Sequence, residues 1–295
     1  MQPTILVTGA TGNVGSELVR ILHRQGHAVR AAVLSEADAA SLPHPNVAWE
    51  RFDFADTSTF SAAFSGVDRL FLMRPPAIAN VDRFIRPVVD YAAANGVQHV
   101  VFLSLLGAEK NRIVPHAKVE QILKAGTVPY TFLRCGFFMQ NLSTTHAAAI
   151  RDNDDIFVPA GKGKTAFIDV RDIAAVAARA LTESGHENVA YPLTGGEALD
   201  YGEVAAIMSD VLGRKISYSA PSLFRFAWRL WREGHPLNYV AVVSAICLTT
   251  RFGFAETVTP HTRELLGRAP RTMHHFVADY ADVWQRPTEV AVVAA

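Results

Sequence analysis

Three glycines spaced three residues apart, Gly9, Gly12 and Gly15, are the first residues whose type and spacing point to chemistry. They follow a short apolar run at 4–7 and precede a stretch where Leu18, Val19, Ile21 and Leu22 share one helical face. A strand, a glycine turn and a helix in that order cradle the pyrophosphate of a dinucleotide. Gly9 lets the chain turn tightly off the strand. Gly12 leaves no Cβ between backbone and phosphate, and Gly15 lets the helix settle close onto the sheet. Behind Thr11, the N–H groups of Asn13 and Val14 open the helix at its positive dipole end, where an anion is favoured. A purely structural glycine turn is the alternative.

Other residues could carry chemistry of their own. His116, with an ordinary pKa near about 6.5, suits a proton donor, yet it could equally cap a helix or lie in water. Lys118 titrates near about 10.4 when free, so acid–base work at neutral pH requires burial or a neighbouring cation. Asp169, Arg171 and Asp172 look catalytic, but Asp172 reads better as the cap of the following helix with Arg171 paired to it. His274 and His275 are adjacent rather than four apart, a poor metal pair, and no other spacing suggests a metal site. Neither a Gly-x-Ser-x-Gly elbow nor a phosphate-loop lysine is present.

The elements that must position these residues alternate. Apolar runs at 28–34, 47–52, 67–73, 97–104 and 130–134 read as strands; helical spacing runs through 57–64, 81–95 and 117–125. The predicted fold is α/β, a Rossmann-type doubly wound parallel sheet with a smaller, mostly helical C-terminal substrate region. That region is expected to hold a hairpin at 156–167, a helix from 169–172 to 181, a strand at 191–194 and helices at 223–232, 237–250 and 272–284. Asp200 followed by Glu203 has capping-box spacing and opens a helix to 212. The domains are drawn at 1–153 and 154–287, with 166–195 returning to the sheet and 288–295 a flexible tail. A cleft is expected above the carboxyl ends of the strands.

Composition narrows the class. The chain has 295 residues, 49% hydrophobic and 19% charged, enough apolar material for a large core. Its 28 basic and 28 acidic side chains cancel without a basic cluster, which argues against a nucleic-acid partner. The longest apolar stretch, 239–248, is shorter than the roughly 20 residues of a membrane span. Its start lacks a basic leader, so the expected location is cytoplasmic, with the two cysteines, Cys135 and Cys247, reduced.

Several segments together resemble the NmrA-like family of atypical short-chain dehydrogenases. They are the opening 8–15, Arg74-Pro75-Pro76, Ser104-Leu105-Leu106-Gly107, His116 to Glu120, and Pro129 to Arg134 running into Gly136 to Asn141. Asp169 to Ile173 and Leu193 to Gly196 are similar to later family segments; the likeness is good over 1–215 and weak over 223–270. The resemblance implies an NAD(P) cofactor. It implies adenine near Asp53 and Phe54, central phosphates and ribose near Met73, Arg74 and Pro75, and nicotinamide near Ser104, Lys118, Cys135, Gly136 and Phe137. An Asp56 cap, an Arg74–Asp82 salt bridge and a solvated Lys118 are the plainer alternatives. Phe137, Phe138, Met139, Trp228 and Tyr239 would line the substrate pocket, although Trp228, Trp231, Tyr239, Phe252 and Phe254 also suit helix packing or a homodimer face. Ordinary short-chain dehydrogenases carry a tyrosine four residues before the lysine; here that position is Val114.

An NAD-specific fold carries Asp or Glu at the end of strand two, where this chain has Leu34 and Ser35 with Glu36 placed late. Arginine occupies the Leu34 position in many NADPH-using relatives, and Arg30 lies mid-strand. The missing carboxylate tilts the expectation to NADP(H) over NAD(H). The expected function is an NAD(P)H-dependent oxidoreductase that passes hydride to a quinone-like or conjugated aromatic or carbonyl small molecule, with Lys118, His116 and Ser104 at the reacting centre. A non-catalytic redox sensor that binds NAD(P) and regulates a partner protein is the rival. An isomerase or other biosynthetic enzyme that keeps its cofactor bound is the third reading.

Overall fold

The computed structural model describes residues 3–286, and the tail expected at 288–295 lies outside the described residues. Strands are β1 (Thr4–Val7), β2 (Ala28–Val33), β3 (Ala48–Arg51), β4 (Arg69–Leu72), β5 (His99–Leu105), β6 (Tyr130–Cys135), β7 (Asp155–Ile156), β8 (Val189–Leu193) and β9 (Ser217–Tyr218). Helices are α1 (Asn13–Arg24), α2 (Glu36–Ala39), α3 (Phe60–Phe64), α4 (Val81–Phe84), α5 (Arg86–Ala94), α6 (Pro115–Ala125), α7 (Ala147–Asn153) and α8 (Val170–Thr182). They continue with α9 (Tyr201–Leu212), α10 (Leu223–Arg232), α11 (Leu237–Arg251), α12 (His261–Leu266) and α13 (Met273–Asp279).

The chain divides into two compact units. The first runs to Gly136 and adds Val170–Thr194 and Thr259–Pro270; the second takes Phe137–Asp169, Gly195–Val258 and the residues from Arg271. The chain leaves the first unit directly after β6 closes, rather than at the 153 border drawn from the sequence.

In the first unit seven parallel strands lie in the order β3-β2-β1-β4-β5-β6-β8. Six of the seven residues of β5 are buried, as expected of a central strand covered on both faces. On one face Leu6, Leu70, Leu72, Val100, Phe102 and Phe132 join a core completed by Phe60, Phe64, Ile85, Val88 and Val119 from α3, the α4–α5 corner, α5 and α6. Strand residues alternate in direction, and α1 and α8 pack together on the opposite face. The predicted doubly wound sheet is therefore present.

The second unit gathers around Met139, Ile150, Ile156, Val204, Met208, Phe226, Met273, Phe276 and Trp284. Its helix α9 opens with the predicted capping box: the Glu203 N–H donates to Asp200 Oδ1 and the Asp200 N–H donates to Glu203 Oε2, each at 2.8 Å.

Some elements differ from expectation. The hairpin expected at 156–167 does not form; β7 instead pairs in parallel with β9. Gly163 serves a close approach, since a Cβ there would overlap the carbonyl of Thr250 in α11. The helix expected at 81–95 breaks at Ile85, because Pro87 at the start of α5 lacks an N–H and crowds the residue before it. Helix α8 already begins at Val170, so Asp172 is not its cap; fully buried, it accepts from Arg268 at 2.6 Å. Helix α6 starts at Pro115, a residue whose missing N–H is no loss at that position, so Lys118 sits four residues in.

An ion pair with a buried carboxylate joins β6 to α6. Arg134 donates to both oxygens of Glu120, from Nε at 2.9 Å and from Nη2 at 2.6 Å, and pairs with Glu109 at 3.2 Å. Arg134→Met would strand the Glu120 carboxylate and lower stability by about 3–5 kcal/mol. Adding Glu120→Leu should recover most of that loss in urea denaturation; additive losses would contradict this account.

Candidate functional site

Strand order reverses between β1 and β4, and ligands of open α/β sheets lie at the carboxyl ends of strands at such a point. Thr8, fully buried, stitches the two strand ends together. Its N–H and its hydroxyl both donate to the Phe71 carbonyl at 3.0 Å, and the hydroxyl accepts from the Met73 N–H at 2.8 Å. Gly9 follows with a φ of 64°, in the left-handed region, and the Met73 methyl occupies the space a Cβ would need. The Gly12 N–H closes the turn onto the Gly9 carbonyl at 2.9 Å. A Cβ at Gly15 would overlap that same carbonyl, so only glycine lets α1 come this close.

Helix α1 opens at Gly12 with no side-chain cap and no acidic residue in its first turn. Its leading N–H groups thus retain donor capacity at the positive dipole end. These features fit a dinucleotide pyrophosphate.

The end of β2 is occupied differently from expectation. Leu34 is exposed, and Ser35 caps α2, accepting from the Asp38 N–H at 3.2 Å while its hydroxyl donates to the Asp38 carboxylate at 2.7 Å. Arg30 is committed elsewhere, donating to the carbonyls of Ala63 at 3.0 Å and Ser65 at 2.7 Å. Arg51 ends β3 in register with Val33, which brings a guanidinium-bearing residue beside the end of β2. Asp53 accepts from the Ala55 N–H at 2.8 Å, while Asp56 is the cap of the next turn, as the sequence suggests. The Phe54 ring is buried edge-on against Phe52 at 4.9 Å, a core position.

After β4, Arg74 folds back over its own loop, donating to the carbonyls of Pro75 at 2.9 Å, Pro76 at 3.2 Å and Ile78 at 2.6 Å. No Arg74–Asp82 bridge forms; Asp82 instead pairs with Arg86 at 2.9 Å and, more closely, with Lys118. Lys118 is about half exposed, so water competes for this pair and it exchanges readily for another partner. The Ser104 hydroxyl donates to Glu120 at 2.7 Å, which leaves it free only to accept from a ligand.

His116 lies in the first turn of α6 and does not cap it. Burial, reinforced by the Arg74 guanidinium, pushes its pKa down to about 4. Neutral imidazole is therefore the form present at neutral pH. Cys135 is buried, burial pushes its thiol far up, and Gly136 donates its N–H to the Leu193 carbonyl at 2.9 Å.

In the second unit Phe137 packs against the core, Phe138 precedes a 3₁₀ turn at Met139–Asn141, and Met139 is itself core. Trp228 lines a surface cavity, while Tyr239 stacks on His235 at 4.7 Å. Sequence reasoning missed Thr8, Asp82, Glu120 and Arg134 as organisers of these side chains. The polar residue closing β1 was the only signal available for Thr8.

A model of the NmrA-like family matches residues 1–246. The chain belongs to the NmrA-like family. Family likeness thus reaches beyond 215 into α11. Among curated relatives, the NAD(P)H azoreductase of Xenophilus azovorans is 34% identical over 282 residues, covering 94% of this chain and 98% of that protein. The NADPH-dependent quinone oxidoreductase of Escherichia coli, solved with NADPH, superposes with a TM-score of 0.83 at 27% identity, covering 93% of this chain and 99% of that one. The triphenylmethane reductase of Citrobacter sp., complexed with NADP(H), gives 0.82 at 26% identity, covering 94% and 99%.

Two outcomes follow. Gly15→Ala forces α1 off the Gly9 carbonyl, costing about 1–3 kcal/mol by overpacking and weakening nucleotide binding; a melting scan with a nucleotide titration checks both, and a variant matching the parent refutes the close approach. His99, His116 and His146 are each lowered to about 4, burial being the first cause in every case. The unfolded chain takes up these protons near about pH 6.5, so their contribution is complete above that value and is lost as pH falls toward 4. Urea midpoints measured from pH 7.5 down to 4.5 should fall, and His116→Gln should flatten part of the slope.

Proposed function

We propose that this protein is an NAD(P)H-dependent oxidoreductase that reduces quinone-like or other conjugated planar acceptors. The observation that carries the reading is the uncapped start of α1 held against the Gly9 carbonyl. The azoreductase, quinone reductase and dye reductase among its relatives support it. Bound on that turn, the reduced nicotinamide supplies a hydride. The chain's own part is to bind, orient and exclude. Gly9 to Gly15 and the α1 N–H groups hold the pyrophosphate, and Asp53 and Phe54 border the adenine. Met73, Arg74 and Pro75 line the central phosphates and ribose, and Cys135, Gly136 and Phe137 the nicotinamide.

Lys118 leaves Asp82 to orient the ribose and the acceptor oxygen, an exchange that an exposed pair permits at little cost. Ser104, fixed as a donor to Glu120, presents its lone pair. With His116 lowered to about 4, its charged form is roughly a thousandth of the population at pH 7, so water delivers the proton. The acceptor takes one hydride and one proton and leaves as the reduced, hydroquinone-type product. Phe137 and Phe138 supply apolar surface for the acceptor, whereas Met139 is buried in the core and does not.

NADP(H) is the preferred cofactor over NAD(H). The end of β2 carries Leu34 where a ribose-binding carboxylate would stand, and Arg51 is registered beside it.

Calorimetric titration of nucleotide-free protein with NAD⁺, NADH, NADP⁺ and NADPH tests both levels. NADPH should bind tightest and support turnover of a quinone. Tighter binding of an oxidised form would favour a redox sensor over an enzyme. Lys118→Ala should lower kcat/KM by roughly 10–100-fold; unchanged kcat and KM would remove Lys118 from the site.

A further inference from the structure

Helix α10 sorts its side chains into three stripes. Phe226 and Leu230 join the second unit's core. Phe224, Trp228 and Trp231 recur at helical spacing on an exposed stripe, and Arg225, Arg229 and Arg232 repeat that spacing one position further on. The two outer stripes meet at a cavity of about 490 Å³ lined by Phe157, Arg225, Trp228, Arg229, Arg232 and Glu233. That volume suits a small organic ligand.

The cavity wall is aromatic and cationic at once. The Arg232 guanidinium lies 4.8 Å from the Trp228 ring centroid, and that of Arg229 lies 4.7 Å from Phe157. Phe157 in turn stacks on Phe226 at 6.2 Å with 29° between the ring planes, which anchors the wall to the core. Glu233 pairs with Arg229 at 2.9 Å. Among the described residues, no carboxylate is within ion-pair distance of Arg225 or Arg232. Three guanidinium groups therefore face one carboxylate, leaving the cavity with a positive excess beside an indole face.

We propose that this cavity binds a planar aromatic anion, an aryl sulfonate or aryl carboxylate. The ring lies against Trp228 and Phe157, and the anionic group accepts forked hydrogen bonds from Arg225 and Arg232. Guanidinium groups suit carboxylates and sulfonates because their donors form a rigid fork that reaches two oxygens at once, and Arg232, already stacked, loses little freedom on binding. Every participating residue belongs to the second unit, so binding requires neither nucleotide nor hydride transfer. An apolar ring alone would leave the unpaired guanidinium groups unused; a bare inorganic anion would leave the aromatic wall unused.

The test is calorimetric titration of the full chain, without nucleotide, using naphthalenesulfonate and its uncharged analogue naphthalenemethanol. The sulfonate should bind about tenfold or more tightly than the alcohol, and only its affinity should fall as salt rises. The double variant Arg225→Gln/Arg232→Gln, on exposed helical positions, should keep the parent's melting temperature and bring the sulfonate down to the affinity of the alcohol. Equal affinity for the two probes in the parent, or sulfonate affinity unchanged in the double variant, overturns the proposal. Salt-dependence in the parent gives a reading that does not rely on the variant folding.

Discussion

The first unit depends on one contact: the backbone of α1 resting against the carbonyl of Gly9. A single methyl group at Gly15 is incompatible with it. That approach places the leading N–H groups of α1 over the turn, and the hydrogen bond from Gly12 to Gly9 sets the turn's height. Thr8 then fixes where the turn begins, because its buried hydroxyl binds the ends of β1 and β4 together. Met73 is carried along by this stitch and fills the space beside Gly9. Glycine, threonine and methionine here form one packed unit, and the anion-binding property of α1 is its outcome.

Charges around this turn fall into two kinds. Glu120 is buried and doubly hydrogen-bonded to a mostly covered Arg134, so removing Arg134 leaves an uncompensated charge in the interior. They hold α6 against β6 and keep Ser104 oriented. Lys118 and Asp82 are half exposed, where water competes on equal terms and the pair is worth little. Fixed and exchangeable charges therefore sit within two residues of each other on one helix. Position 118 keeps its mobility while the helix that carries it does not.

Local patterns made much of this legible in the sequence. Gly9, Gly12 and Gly15 state their roles through spacing, β5 announces its burial by an almost uninterrupted apolar run, and Asp200 with Glu203 spells a capping box. Relations between distant residues were not legible. Asp172 reads as a cap because Asp commonly caps; its partner Arg268 lies 96 residues further on. An Arg74–Asp82 bridge is one of two readings of Arg74, yet its Nη1 donates to three nearby carbonyls, and Lys118 takes the carboxylate across 36 residues. His116 shows the same limit, since an imidazole's basicity follows from burial and from Arg74, neither of which spacing reveals. The segment 156–167 reads as a hairpin, whereas Gly163 within it makes room for α11.

The interleaving of the chain between its two units bears on how the protein can be dissected. A fragment ending at 153 would retain the whole glycine turn, yet it would lose α8 and β8, which belong to the same unit. Nine buried residues of α8 would no longer cover the sheet. The hydrogen-bonding groups that β6 now shares with β8 would become an open edge. Such an edge beside an apolar face is a template for strand addition between molecules. The shortest piece that resembles a nucleotide-binding module by sequence is thus one whose natural fate is association, and solubility on its own requires the segments that return from beyond residue 169.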